Sequence, residues 1–204
     1  EGHAAASAFA LDAGNPEARR HEIAEADLVI STLPAFLHPE GPADAIATRT
    51  PLITPSYLSP EIAAMDQAAK DAGIPILNEL GLDPGIDHLS AMQVIDELRS
   101  EGAQLTGFES YTGGLVAPES DNNPWHYKFT WNPRNVVLAG QGGSATFRMG
   151  GLNRVLPPHR LFQEVTPIDV PGAGRFEGYA NRDSLAYEQI YGLQGIETLV
   201  RGTL

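Results

Sequence analysis

Short apolar runs alternate with amphipathic stretches over the first hundred residues, and that rhythm predicts βαβ units around a parallel sheet. Asp27-Leu28-Val29-Ile30-Ser31 reads as a buried strand, closed by Pro34 and followed by a short helical stretch over 42–47. Pro51-Leu52-Ile53-Thr54 reads as a second strand. Ser59 is a good N-cap with Pro60 at the first helical position, and Gly73 closes that helix. Ile74-Pro75-Ile76-Leu77-Asn78 is the third strand, its proline fitting a strand start or an edge. A helix over 84–100 carries Ile86, Leu89, Met92, Ile95 and Leu98 on one stripe, with Gly102 as its stop.

Beyond residue 102 the texture changes. Alternating segments at 105–111, 135–139, 145–149, 153–156, 164–170 and 175–180 read as strands between Gly/Pro turns. A short helix over 183–191 and a last strand over 196–203 complete the pattern. Strand-rich sequence appended to βαβ units predicts an α/β chain: residues 1–101 as a Rossmann-type unit and 102–204 as an α+β domain.

Composition narrows the classes. Hydrophobic residues make 42% and charged residues 19%, which is globular and not disordered. With 13 Lys+Arg against 26 Asp+Glu the net charge is −13, which argues against nucleic acid as partner, because phosphate contacts need cations. No apolar run approaches the roughly 18 residues of a membrane span, and the first residues lack a signal-peptide pattern. Zero cysteines exclude disulfides, thiolate nucleophiles and Cys-based zinc sites, and fit a reducing cytoplasm. Only Lys70 and Lys128 are lysines, as an Arg-favouring genome or a salt-adapted surface would each produce.

Three elements carry candidate chemistry. The first is Asn78-Glu79-Leu80-Gly81-Leu82-Asp83-Pro84-Gly85-Ile86-Asp87-His88-Leu89, where a strand ends, a glycine-bracketed turn follows and a helix begins. The carboxyl end of a parallel strand is where ligands bind in open α/β sheets. Asp83 serves either as the helix N-cap or as a substrate contact, and the two are compatible. The second runs from Tyr111-Thr112-Gly113-Gly114 to Trp125-His126-Tyr127-Lys128-Phe129-Thr130-Trp131, a lysine among aromatics that anchors a carboxylate or snorkels along an apolar surface. The third is Asn181-Arg182-Asp183-Ser184, where the plainer reading is a turn capped by Asp183 with Arg182 in a surface ion pair. Gly140-Gln141-Gly142-Gly143 superficially suggests a phosphate loop, but a strand rather than a helix follows, so a hairpin turn is expected. The six histidines show no zinc spacing, no metal is expected, and no Gly-x-Ser-x-Gly elbow is present.

Taken together, these elements resemble the saccharopine dehydrogenases of the NADP-dependent, L-glutamate-forming type, also called saccharopine reductases. Ser56-Tyr57-Leu58-Ser59-Pro60, Leu28–Leu33 and the terminal Arg201-Gly202-Thr203-Leu204 extend the likeness over nearly the whole chain. Members of that family are about twice this length, so the chain looks like an internal fragment of a Rossmann-type sheet and an α+β substrate domain, both incomplete. It would enter at a strand over 8–11 and lack the glycine-rich turn that holds the pyrophosphate. These 204 residues alone are therefore expected to bind NADP weakly or not at all.

The resemblance implies hydride transfer between NADP and saccharopine, through an imine that water opens to L-glutamate and 2-aminoadipate 6-semialdehyde, with a homodimer as the candidate assembly. By matching position it places Leu11, Asp12, Thr32, Thr54, Leu82, Asp83 and Trp131 along the cofactor. It places Pro55, Ser56, Asp83, Arg182, Thr203 and Leu204 on the substrate. Saccharopine carries three carboxylates and a secondary amine. Arg182 offers a fork for a carboxylate. Hydride leaves only from an unprotonated amine, so Asp83 is the candidate proton acceptor, with Lys128 its candidate catalytic partner.

Thr112 stands where the family usually has cysteine, Pro55 replaces a small polar residue, and His126 and Asn135 replace glycines. Two other readings stay open. A related imine-reducing dehydrogenase acting on polyamines (carboxynorspermidine or homospermidine type) should need an acidic pocket rather than Arg182. A non-catalytic interaction domain on the same scaffold is the other.

Overall fold

The computed structural model describes residues 5–130, 133–139 and 143–204. They form two compact units, Glu1–Ser90 and Ala91–Leu204.

In the first unit, α1 (Pro16–Ala24) starts at Asn15, whose side chain accepts from the Glu17 and Ala18 amides, with Pro16 at the first position. Strand β1 (Val29–Ile30) leads to α2 (Glu40–Thr48), β2 (Leu52–Ile53), α3 (Pro60–Ala63), α4 (Asp66–Ala72) and β3 (Ile76–Leu77). The three strands pair in parallel in the order β1-β2-β3, Val29 opposite Leu52 and Leu52 opposite Ile76. The expected helix from Ser59 to Gly73 is two pieces. Ser59 caps the first and Gly73, at φ 73°, ends the second, but the ladder tightens at Met65, whose amide bonds Ile62 O. The expected strand over 8–11 is not one: no ladder partner for it exists among the described residues, and Phe9 and Leu11 are exposed.

The core of this unit is small and apolar around Ile23, Ala45, Leu52, Ile62 and Ala69, and it contains a charge cluster. Asp44 on α2, 1% exposed, takes the Nε of Arg19 and, at 2.6 Å, the Nε of Arg20, both on α1. Arg19, itself buried, also reaches Glu40 at 3.0 Å and the Ala13 carbonyl at 2.5 Å. Nothing in the local pattern predicts this clamp.

Helix α5 (Ile86–Ser100) begins two residues later than expected, and its stripe is only half used. Ile95 is buried with Met92 beside it, whereas Ile86 and Leu89 are 58% and 65% exposed. Only the helix's later turns, through Ile95 and Met92, contribute to the core of the second unit.

The second unit contains β4 (Gly107–Thr112), α6 (Pro133–Ala139), β5 (Ala145–Met149), β6 (Leu152–Leu156), β7 (Thr166–Val170), β8 (Gly174–Ala180), α7 (Tyr187–Ile190) and β9 (Thr198–Thr203). The expected strand over 135–139 is therefore a helix. Pro133 sits at its first position, and among the described residues Val136-Val137 pairs with no strand. The expected turn at 140–143 falls outside the described residues except for Gly143.

Strand β9 is the hub of the sheet, whose order is β6-β5-β9-β8-β7. It pairs in parallel with β4 along its whole length, Gly107 opposite Thr198 to Thr112 opposite Thr203. It also meets β5 at Arg148–Leu199 and β8 at Tyr179–Thr203, both antiparallel. Neighbouring residues on β9 feed opposite faces. Leu199 joins Ile95, Tyr191, Leu193 and Ile196, while Val200 joins Ala145, Phe147, Leu156 and Ala180. Arg148 forks onto Glu188 at 2.6 and 3.1 Å, and with the Gly195 N–H it holds the Glu188 carboxyl below the usual range. The Val200 face carries a cavity of about 160 Å³ lined by Tyr111, Phe147, Met149, Leu156, Ala180 and Val200 among others. Burial there, with Glu109 nearby, raises the Tyr111 pKa.

Candidate functional site

Parallel pairing puts the segments after β1, β2 and β3 on one edge of the first unit's sheet. Thr32 is exposed just beyond β1. Thr54, buried, directly follows β2, and its hydroxyl accepts from the Ser56 amide at 3.3 Å. Pro55 and Ser56 follow, half-buried. The segment after β3 is laced to them: Glu79 N bonds Ser56 O at 3.0 Å, Leu80 N bonds Thr54 O at 3.1 Å, and Leu58 N bonds the Glu79 carboxylate at 3.1 Å. Glu79 is held at φ 61°, a region that non-glycine residues seldom occupy.

From there the chain enters a tight loop. Gly81 N donates to Pro84 O and Gly81 O accepts from Ile86 N, closing the loop around Leu82 and Asp83. A Cβ on Gly81 would lie 2.8 Å from Pro55 Cβ. One on Gly85, whose φ is 150°, would lie 2.1 Å from the Gly81 carbonyl oxygen. Gly85→Ala is therefore expected to force this loop open, at a cost of about 1–3 kcal/mol or more in unfolding free energy. A denaturant midpoint equal to that of the unsubstituted protein would contradict the tight packing.

The loop corrects one expectation. Asp83 does not cap the helix, which starts at Ile86 with the Asp87 carboxylate accepting from Gly85 N at 2.8 Å. Asp83 is exposed instead, and its Oδ1 accepts the Tyr57 hydroxyl at 3.2 Å. Leu82 beside it is 71% exposed. A carboxylate with one oxygen held by a phenol keeps the other oxygen available to accept a proton. Leu11 and Asp12 lie ahead of α1, where the Asp12 carboxylate accepts from Gly14 N at 2.9 Å and shapes the turn into the Asn15 cap.

In the second unit the third motif meets the end of β9. Asn181 Nδ2 donates to Thr203 Oγ1 at 2.8 Å, and Asn181 N bonds Arg201 O. Arg182, at φ 50°, gives its carbonyl to Thr146 N at 2.8 Å. Asp183 does cap the following turn, accepting from Leu185 N at 3.0 Å and from the Thr146 hydroxyl. Ser184, fully buried, ties the turn to Arg201 from both sides. Leu204 N bonds Thr112 O, and Gly113 leaves no room for a Cβ against Leu204. Arg182, Thr203 and Leu204 are thus brought to one end of this sheet. Lys128 is half-buried in the segment between β4 and α6, and Trp131 lies outside the described residues.

Tyr57, Asn78 and His38 lie at this same edge, and motif reading gives them no role. Asn78 Oδ1, at the end of β3, is buried without a hydrogen-bond partner. The local signal for Tyr57 was its place in Ser56-Tyr57-Leu58-Ser59-Pro60; His38 invites only the metal question and fails it.

Residues 2–77 match the family described as saccharopine dehydrogenase NADP binding domain, and residues 81–204 match saccharopine dehydrogenase C-terminal domain. The chain is 41% identical over 196 residues to the saccharopine dehydrogenase [NADP(+), L-glutamate-forming] of Pyricularia oryzae, covering 96% of this chain and 43% of that protein. It is 40% identical to the mitochondrial alpha-aminoadipic semialdehyde synthase of Mus musculus, covering 95% of this chain and 21% of that one. The solved apo saccharopine dehydrogenase (L-Glu forming) of Saccharomyces cerevisiae superposes with a TM-score of 0.87 at 39% identity, over 96% of this chain and 44% of that one. The chain thus spans less than half the length of the relatives it matches. Matching both family domains in order, with the parallel sheet and the mixed sheet each in place, the chain belongs to the saccharopine dehydrogenase family.

Proposed function

We propose that the protein bearing this chain interconverts saccharopine with L-glutamate plus 2-aminoadipate 6-semialdehyde, using NADP(H), in lysine metabolism. The observation that carries the reading is the Tyr57–Asp83 pair on the glycine-locked loop at the carboxyl edge of a parallel sheet. An exposed carboxylate there suits removal of the proton from the substrate's secondary amine. The buried, unpartnered Asn78 Oδ1 at the same edge is an acceptor for which a ligand's amide N–H is the complement, and a nicotinamide carboxamide supplies one. When bound, NADP supplies the hydride acceptor.

The protein's own groups divide the remaining work. Thr32, Thr54, Leu82 and Asn78 line the cofactor side, with Leu11 and Asp12 toward the adenosine end. Pro55, Ser56, Arg182, Thr203 and Leu204 are the residues assigned to the substrate. Lys128 serves carboxylate binding or proton handling, and Trp131 is assigned to the cofactor by the family resemblance alone. The reading includes the biosynthetic direction, a cytoplasmic location and a homodimer. No described helix is long and apolar enough to cross a membrane. Arginine at 182 favours carboxylates over the polyamine alternative.

Steady-state oxidation of saccharopine by the full-length protein tests the reading, and no NADP-dependent turnover would end it. Arg182→Lys keeps charge but loses the fork. The expected result is a 10- to 100-fold drop in kcat/KM for saccharopine, on the order of the 1.5–3 kcal/mol carried by a charge-assisted hydrogen bond, with KM for NADP unmoved. Equal losses for both substrates would indicate misfolding, and no loss would remove Arg182 from the site.

A further inference from the structure

His38 lies between the ends of two strands. Its Nε2 is 2.9 Å from Ser56 Oγ, just beyond β2, and also contacts the carbonyl oxygen of Leu33, just beyond β1. A carbonyl oxygen can only accept, so Nε2 carries the proton in that contact. The neutral ring in this tautomer and the imidazolium share this feature. Ser56 Oγ, facing the same N–H, is then an acceptor toward His38. A hydroxyl has a single proton, and this arrangement leaves it for a third group.

The main chain of Ser56 is pinned as well. Its amide donates to Thr54 Oγ1 at 3.3 Å and its carbonyl accepts from Glu79 N at 3.0 Å. The backbone and one lone pair of the hydroxyl are therefore fixed before any ligand arrives.

We propose that His38 is a positioning residue that sets Ser56 as a hydrogen-bond donor and so makes this subsite select a carboxylate oxygen over an amine. The inference rests on the reading that Ser56 touches the substrate. It adds the polarity of that contact and the residue that imposes it. A carboxylate takes the free O–H as a charge-assisted bond, whereas an ammonium group brings only donors, finds only the second lone pair of Oγ and leaves that O–H unused. The subsite thereby discriminates saccharopine from a polyamine independently of Arg182.

Two measurements on the full-length protein test this. In ¹⁵N-histidine spectra, with His38→Gln used to assign the signal, Nε2 of His38 should be protonated at neutral pH. A bare Nε2 overturns the proposal whatever the kinetics show. In steady-state assays, His38→Phe and Ser56→Ala should each raise KM for saccharopine about tenfold, the scale of one hydrogen bond to a charged group, with KM for NADP unchanged. His38→Gln, which returns an N–H near the Nε2 position, should recover most of the loss. The double variant His38→Phe/Ser56→Ala should be no worse than Ser56→Ala alone, because both act through one hydroxyl. Additive losses, or a loss in His38→Phe that glutamine leaves uncorrected, would overturn the positioning role. A wild-type protein that leaves saccharopine untouched would refute the functional reading instead, and the tautomer would still decide the assignment of His38.

Discussion

Asp44→Ala is expected to lower the unfolding free energy by about 3–5 kcal/mol, the scale for removing one member of a buried ion pair. The size follows from what is left behind. Arg19 on α1 is buried with its Nε on Asp44, and without that carboxylate the Nε–H is left unpartnered, with only the half-exposed Glu40 as counter-charge. Arg20 loses its partner too, but its side chain is more than half exposed and can turn to water. The opposite case lies in the same unit. Lys70 and Asp66 form an exposed pair at 2.6 Å one helical turn apart, and breaking it should change stability by no more than about 0.5 kcal/mol. The double change Arg19→Met/Asp44→Leu should cost less than Asp44→Ala, since no charge is stranded. Urea denaturation of the three variants checks the ranking. An Asp44→Ala midpoint equal to the Lys70→Ala midpoint would mean that water reaches the cluster.

Asp83→Asn is expected to reduce kcat for saccharopine by about 10²-fold or more, the usual scale for a proton-transferring group. Asparagine can still accept the Tyr57 hydroxyl through its carbonyl, so the geometry of the loop survives while the capacity to take a proton is lost. Because Asp83 is exposed and does not cap α5, stability should stay within about 0.5 kcal/mol of the unsubstituted protein. That separation is the test. Turnover near the unsubstituted level, in a protein that remains folded, would remove Asp83 from the proton path. A large fall in stability would show that the loop needs the charge itself.

The parallel sheet was readable because its strands are short apolar runs fenced by proline, glycine and a serine cap, all of which act locally. The helix at 133–139 was misread for a local reason as well: Val136-Val137 prefers strands, but Pro133 at a first helical position was the stronger signal. Asp83 misled in the other direction. Aspartate before proline suits an N-cap, and only the hydrogen bonds between Gly81 and Ile86 show that the turn delays the helix by two residues. The clamp at Asp44 and the His38–Ser56 contact could not be read at all. Their partners lie 25 and 18 residues apart and meet only because neighbouring parallel strands end at one edge or two helices pack together.

The central place of β9 bears on biosynthesis. Thr198–Thr203 pairs with Gly107–Thr112, about ninety residues earlier, and supplies side chains to both apolar clusters of its unit. A nascent chain emerging from the ribosome therefore holds β4, β5 and β8 with their shared neighbour still in the exit tunnel. The hairpins β5–β6 and β7–β8 can close early, since their contacts are local, but β4, β5 and β8 cannot be joined until β9, which is made after all three, arrives. Until then three strand edges and two half-built cores face solvent together, the condition under which partly folded chains associate wrongly. Interruption of translation between Ala180 and Thr198 would release such a species, and cellular quality control would meet it as an unfolded client rather than as a shortened but folded protein.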